Sequence, residues 1–484
     1  MSSFAKVAQL KSVAGLRERI AELGWELPID DELLTAAEGS PLARSFPFGK
    51  LTAGNRWCIH PMEGWDANQD GTPSALTIRR WSNFGHSGAK LIWGGEAAAV
   101  CEEGRANPRQ TLATCANRDG LRRLRDAAQD AHRQSGWSCD DLVIGLQLTH
   151  SGRFCKPLPD LRFRPRIAWH HPILDPRFGI DARDDRPIWT DSELETLIDQ
   201  YVAAARLAAE VGFAFVDVKA CHGYLLHEFL GARRRPGKYG GDFDGRTRLL
   251  LTIIDRIREA VPELGIAVRL SVFDTVPFQA GPDGGVPAPH EHLLPYEFGF
   301  GIDRSDPTRA DLEEPIQLLR MLESRGIWAA NISAGSPYYN PHLQRPAAFP
   351  PSDGYGPPED PLVGVVRQIH AARDCKRAVP GLPQIGTGYS YLQDFLPHVA
   401  QAVVRAGWID AVGIGRMVLA YPQLPADVLH AGQLQRKLIC RTFSDCTTAP
   451  RNNLVSGCYP LDAFYKALPE ADTLKAIKSK SGSS

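Results

Sequence analysis

Along most of this chain, short runs of nearly uninterrupted apolar residues alternate with longer stretches in which apolar residues recur every three to four positions. The first pattern predicts strands buried on both faces, the second helices lying over them. The runs are Arg56–Met62 (RWCIHPM), Ala89–Val100 (AKLIWGGEAAAV), Leu142–His150 (LVIGLQLTH), Phe213–Lys219 (FAFVDVK), Ile266–Ser271 (IAVRLS), Trp328–Ser333, Gln384–Gly388 (QIGTG) and Ala411–Arg416 (AVGIGR). Helical spacing falls between them at Leu76–Phe84, Asp119–His132, Arg246–Val261, Glu313–Arg325, Leu362–Ala372 and Tyr391–Ala406. One further helix opens on Thr190 and Glu193, the spacing of a capping box, and shows one face in Leu194, Leu197, Ile198, Tyr201, Val202, Ala205 and Ala208. Eight strands alternating with helices predict an α/β fold, a (β/α)8 barrel, over residues 51–430.

The remainder divides into an N-terminal extension, 1–50, and a C-terminal tail, 431–484. In the extension, Leu16, Ile20 and Leu23 are spaced for an amphipathic helix, and Leu33 and Leu34 for a weaker second one. It reads as a strap packed on the barrel or on a neighbouring subunit, which leaves a homo-oligomer open. Three stretches, Ser151–Trp189, Phe273–Arg309 and Ser336–Pro361, have no period. Loops of that length inside a compact domain usually serve function, and these are expected to roof a pocket. His170 and His171, in the first, read as a solvated pair.

Polar residues that interrupt the apolar runs mark the candidate chemistry. Gln147 and Arg269 lie inside strands, where each needs a partner or a ligand. Lys219 and His222 sit three residues apart where a strand ends, with Tyr224 two residues on. In a parallel α/β fold that end is where ligands bind. The small residues around Ala97 let something flat approach the backbone, or serve only tight packing. Gly386-Thr387-Gly388 and Gly413-Ile414-Gly415-Arg416 close the last two strands, the usual place of a phosphate cradle in such barrels. There is no GxGxxG after a first strand and no GxxxxGK, which excludes a dinucleotide-binding half-domain and a P-loop.

Composition narrows the partners. Lys+Arg 55 against Asp+Glu 56 gives a net charge of −1 in 484 residues, with no basic surplus for nucleic acid or a membrane surface. No apolar run is long enough to span a bilayer, and ten scattered cysteines fit reduced thiols in a cytosol. The expected partner is a small molecule. The run Arg233-Arg234-Arg235 either favours the extra phosphate of NADPH or is simply solvated.

From about Leu51 to Leu424 the chain resembles the old yellow enzymes, FMN-dependent ene reductases on a (β/α)8 barrel. The segments NRWCIHPMEGWD, EAAAVCEEGR, GLQLTHSGR, ACHGYLLHEFL, KYGGDFDGRTRLLL, VRLS, IGTG and VGIGRMVLAYP occur in the family's order. The resemblance implies that the backbone of Pro61, Met62 and Glu63 and the small Ala97 line the flavin ring, and that Gln147 contacts its pyrimidine part. It implies that Arg269 faces the N1/O2 edge and that Gly388, Gly415 and Arg416 hold the phosphate. His222 then matches a substrate-anchoring residue and Tyr224 the proton donor. The implied reaction takes electrons from NADH or NADPH and reduces an activated carbon–carbon double bond. Amine oxidation by FMN and a flavin-free barrel with a Schiff base on Lys219 are the alternatives.

Three features depart from the family pattern. Lys219 stands where members carry His in the anchoring pair, and Glu63 where many carry Thr or Cys. In the tail, larger relatives such as 2,4-dienoyl-CoA reductase and trimethylamine dehydrogenase carry four cysteines for a [4Fe–4S] cluster, whereas this chain has Cys440, Cys446 and Cys458. The expectation is therefore no cluster and no metal in the site.

Overall fold

The computed structural model describes residues 4–481. Eight parallel strands close a barrel: β1 (Trp57–Ile59), β2 (Leu91–Ile92 and Ala97–Ala99), β3 (Val143–Thr149), β4 (Phe215–Val218), β5 (Gly265–Ser271), β6 (Ala330–Ser333), β7 (Gln384–Gly386) and β8 (Ala411–Ile414). Each pairs with the next, and β8 closes on β1 in the register Val412↔Trp57, Gly413↔Cys58, Ile414↔Ile59. The strands are buried throughout, as their unbroken apolar runs require.

Where the sequence reads one strand, Ala89–Val100, the structure has two pieces. Leu91–Ile92 pairs with both β1 and β3, but Ala97–Ala99 pairs with β3 alone. Gly94 (φ 117°) and Gly95 (φ 42°) turn the backbone between them, a path open to residues without a Cβ. A Cβ on Gly94 would lie 2.6 Å from the backbone nitrogen of Gln147.

Helices wrap the barrel at Ala75–Gly85, Arg118–Gln134, Asp191–Glu210, Phe243–Ala260, Glu313–Ser324, Pro361–Ala378 and Leu396–Arg405. The capping box forms: Thr190 Oγ1 accepts from the Glu193 amide at 3.2 Å, and Glu193 Oε2 accepts from the Thr190 amide at 2.7 Å. Such a cap contributes about 1 kcal/mol.

A hairpin, Phe46–Phe48 with Leu51–Ala53, plugs the N-terminal end of the barrel. Phe48 packs on Phe215 (4.9 Å between ring centres), Trp93 (5.8 Å) and Trp328 (6.0 Å). With that end filled, only the C-terminal ends of the strands remain for a ligand.

The extension lies on this same barrel. Its helix, Val13–Glu22, buries Leu16 and Ile20. Leu33 and Leu34 are not helical: the Leu34 amide donates to Gln401 Oε1 at 2.9 Å, and Gln401 Nε2 donates to the Glu32 carbonyl at 3.0 Å. The barrel helix thus takes the backbone groups that a second helix would have paired internally. His171 is not solvated either. It is buried against Trp169, and burial holds its pKa well below the usual histidine value. Among the described residues, no helix is long and apolar enough to cross a membrane.

Candidate active site

One cavity of about 240 Å³ opens at the C-terminal ends of the strands. It brings together Pro61, Met62, Glu63, Gln147, Lys219, His222, Tyr224, Arg269, Gly388, Gly415 and Arg416, all singled out from sequence. Ala97 does not line it; it sits beside Gln147 in register on β3, and its carbonyl accepts from Gln110 Nε2 at 2.7 Å.

The floor is set by buried hydrogen bonds. Asp217 on β4 accepts from Gln147 Nε2 at 2.6 Å, from Trp93 Nε1 at 2.8 Å and from the Arg269 amide at 2.7 Å. Burial still pushes its carboxyl up to about 6. Gln147 is thereby fixed with its amide nitrogen turned to the wall. Arg269 donates through Nη1 to the Pro61 carbonyl at 3.3 Å, makes no ion pair among the described residues, and leaves Nε without a partner. The buried arginine is thus held in place without its charge being neutralised.

The rim carrying Pro61–Gly64 rests on a network that sequence reading missed. Arg80, on the helix Ala75–Gly85, bonds Asp66 through Nε (2.8 Å) and Nη2 (2.9 Å) and Glu96 through Nη2 (2.5 Å). Arg80 Nη1 also donates to the Met62 carbonyl at 3.0 Å, and Glu96 Oε1 accepts from the Gly64 amide at 3.0 Å. Burial raises the Glu96 pKa, which the Arg80 charge opposes. These residues come from three separate segments, so no spacing announces them.

At the β7–β8 end, Gly388 takes φ 94°, a left-handed turn suited to glycine. Gly413 is glycine for another reason: a Cβ there would come within 1.9 Å of the His60 ring. Arg416 is joined by Arg345, a lone arginine in a proline-rich loop that carried no signal. Arg345 donates to Thr447 Oγ1 at 2.5 Å and Arg416 to the Pro346 carbonyl at 3.3 Å. Neither has a carboxylate partner among the described residues, and Arg345 Nη2 and Arg416 Nη1 are buried without any acceptor. Burial, then Arg451 and Arg416, lower the Arg345 pKa. Two neighbouring guanidinium groups, each with a buried unspent donor, fit a phosphate.

At the β4 end, Lys219 Nζ lies 3.6 Å above the centre of the Tyr224 ring, a cation–π contact, and makes no ion pair with Glu63. Burial lowers its pKa. His222 takes the left-handed φ of 66° and is held by Ser271 Oγ (3.0 Å from its amide) and Ser333 Oγ (2.7 Å from Nε2). A left-handed non-glycine residue costs of order 1–3 kcal/mol and persists where its surroundings over-determine it. Burial, then the charges of Arg269 and Lys219, hold the imidazole neutral. Tyr224 Oη donates to Glu63 Oε2 at 2.6 Å and lies 3.1 Å from Tyr338 Oη.

The roof differs from expectation. Of the three long loops, only the third reaches the cavity, through Pro337, Gln344 and Arg345; the rest of the cover is the tail, through Cys446, Thr447, Ser456 and Gly457. The tail is tied down by the Trp65 amide on Ser456 Oγ (2.8 Å) and by Arg451 on the Pro337 carbonyl (3.1 Å). Cys440 and Cys458 are pushed up to about 11 and about 12 by burial and then by neighbouring thiols of the same trio. That set is one thiolate short of the four a [4Fe–4S] cluster normally takes, and no chemistry is assigned to it. Away from the cavity, Cys101, Glu103 and His150 bring ligand atoms within 4.8 Å of one another. His150 Nδ1, however, already accepts the Gly152 amide at 3.1 Å, so the neutral ring carries its proton on Nε2. The arginine run is spent on ion pairs: Arg233 with Glu314 (2.7 Å), Arg234 with Glu297 (2.9 Å) and Arg235 with Asp191 (2.8 Å).

The family model described as NADH:flavin oxidoreductase / NADH oxidase matches residues 42–281. An NADH:flavin oxidoreductase of Gibberella zeae is 28% identical over 342 residues, 68% of this chain and 71% of that one. Among solved structures, a complex of 2-naphthoyl-CoA reductase with 2-naphthoyl-CoA superposes with a TM-score of 0.64 at 20% identity, over 86% of this chain and 56% of that chain. Morphinone reductase in complex with tetrahydroNAD superposes with a TM-score of 0.55 at 21% identity, over 81% of this chain and 92% of that chain. Barrel, cavity and likeness together define a flavin-dependent oxidoreductase. Over residues 42–281 the chain is similar to the NADH:flavin oxidoreductase / NADH oxidase family, and its barrel has the fold of the old yellow enzyme homologue from Zymomonas mobilis (TM-score 0.55, 21% identity).

Proposed function

We propose that this protein is an FMN-dependent reductase that draws electrons from NADH or NADPH and reduces an activated carbon–carbon double bond, in an enone, a quinone or a related acceptor. The observation that carries the reading is a single cavity with unspent guanidinium donors at one end and a lysine, a histidine and a phenol at the other. Arg416 and Arg345, with the backbone at Gly388 and Gly415, would hold the FMN phosphate. Arg269 and Gln147 would face the polar edge of the ring, and Pro61, Met62 and Glu63 its rim. Bound there, FMN supplies the hydride.

The remaining chemistry belongs to side chains at the β4 end. Lys219 and the His222 ring would both donate to one substrate oxygen. They polarise the conjugated double bond and stabilise negative charge as it gathers, the logic of an oxyanion hole. An ammonium gives this site a full positive charge, which favours phenolates, quinones and carboxylates. Tyr224 would supply the proton to the carbon.

The test is a screen of anaerobically reduced protein against enones, quinones, nitro compounds and enoyl thioesters. Reoxidation by at least one class bearing an activated double bond, with the saturated product identified, is expected. A flavin that none of the double-bond acceptors reoxidises contradicts the reading.

A further inference from the structure

Tyr224, the proposed proton donor, has its proton turned away from that task. Its hydroxyl donates to Glu63 Oε2 at 2.6 Å. The groups facing the pair are Asn107, whose Nδ2 donates to Glu63 Oε1 at 3.2 Å; Tyr338, 3.1 Å from Tyr224 Oη; Lys219, above the Tyr224 ring; and Arg451, 5.0 Å above the Tyr338 ring. With Glu63 ionised, the only proton of Tyr224 is committed to a carboxylate. Burial first, then Glu63 and Tyr338, make that phenol a weaker acid. With Glu63 protonated, the bond reverses: the carboxyl O–H donates to the phenol oxygen, and the phenol proton is free to turn into the cavity. Tyr224 is 4% exposed, whereas Glu63 is only half-buried, so Glu63 is the member that exchanges protons with water.

We propose that Glu63 is the proton reservoir of the site, arming Tyr224 as a general acid when protonated and disarming it when ionised. This rests on the reductase reading above. Reducing a carbon–carbon double bond adds one hydride and one proton. The hydride is the reduced flavin's, which NAD(P)H replenishes. The proton leaves Tyr224 Oη for the carbon, the acid proton of Glu63 passes to the phenolate oxygen, and water reloads Glu63. The dyad therefore turns over without leaving two negative charges side by side, an arrangement that like-charge repulsion penalises.

The experiment uses the flavin-loaded protein, reduced by dithionite without oxygen and then mixed with 2-cyclohexen-1-one or with ferricyanide. Ferricyanide takes electrons but places no proton on carbon, so the ratio of the two rates isolates the proton step. In wild type that ratio falls as pH rises. In Glu63→Gln it drops about 10²-fold at the acid end, the low end of what a general acid supplies, and loses its pH dependence; Glu63→Asp restores part of both. A ratio and pH profile unchanged in Glu63→Gln overturn the proposal. A second measurement needs no substrate: ultraviolet titration of Tyr224, each protein read against its own Tyr224→Phe counterpart. Glu63→Gln moves that ionisation to lower pH, because a carboxylate no longer opposes it; an unmoved titration overturns the proposal. If no enone reoxidises wild type, the reductase reading fails, and the titration still decides whether Glu63 governs the Tyr224 proton.

Discussion

The two ends of the cavity treat negative charge in opposite ways. At the β7–β8 end, Arg345 and Arg416 are half-buried, lack carboxylate partners among the described residues and each keep one buried donor without an acceptor. Guanidinium groups stay charged at working pH and match the fork of a phosphate, so this end suits an ion that stays negative throughout turnover. The β4 end holds a different set: a lysine whose pKa burial lowers, an imidazole that burial holds neutral and a phenol bonded to a carboxylate. That end suits charge that appears and disappears on a substrate oxygen. On the proposed reading, the permanent cations would anchor the cofactor and the adjustable groups would do the chemistry; two of the three departures from the family pattern, Lys219 and Glu63, fall at the second end.

The most damaging single change strikes what both ends share. Arg80→Ala leaves Asp66 and Glu96 buried without their counter-ion and releases the rim at Met62 and Gly64. Breaking a buried pair in this way costs about 3–5 kcal/mol, read by denaturant unfolding. A loss below about 1 kcal/mol would mean that the rim is held otherwise. Next comes Lys219→Met. With flavin content verified, its reoxidation by substrate should slow about 10²–10³-fold, as when one oxyanion donor is removed, while NAD(P)H reduces the flavin at nearly the wild-type rate. A borohydride-trapped adduct of substrate on Lys219 would instead establish a Schiff base.

Smaller effects separate the ends more finely. Arg416→Ala should weaken FMN binding by about 1.5–3 kcal/mol, a charge-assisted contact, without altering phenolate binding. Unchanged FMN affinity would place the phosphate elsewhere. Phenolate binding should in turn depend on pH. Lys219 must be protonated to attract the anion, and burial depresses its pKa. Affinity should therefore weaken as pH rises through a value below the ordinary lysine range, with at most tenfold loss per pH unit, and the slope should vanish in Lys219→Met.

Much of the barrel was legible because strands buried on both faces read as apolar runs, and because polar intrusions such as Gln147 and Arg269 stand out against them. Most helices begin and end within three residues of their sequence bounds for the same reason; the exceptions are Leu362–Ala372, which extends to Ala378, and Tyr391–Ala406, whose α-helix starts at Leu396. What escaped was set by tertiary partners. The break in β2 depends on two glycines turning beneath Gln147, and the Leu33–Leu34 segment is unwound by Gln401 on a distant helix. Arg80, Asp66 and Glu96 look like surface charges until the fold joins them. Arg345 had no pattern around it, and nothing in the spacing of Cys446, Thr447 and Ser456 announces that the tail covers the cavity.

The central claim is that the cavity is an FMN site. The direct measurement is the flavin content and dissociation constant of the purified protein, by absorbance and mass spectrometry after reconstitution and removal of free flavin. The account predicts about one FMN per chain, bound more tightly than riboflavin because Arg345 and Arg416 take the phosphate. A protein that stays colourless after reconstitution, or that binds riboflavin as tightly as FMN, would contradict it.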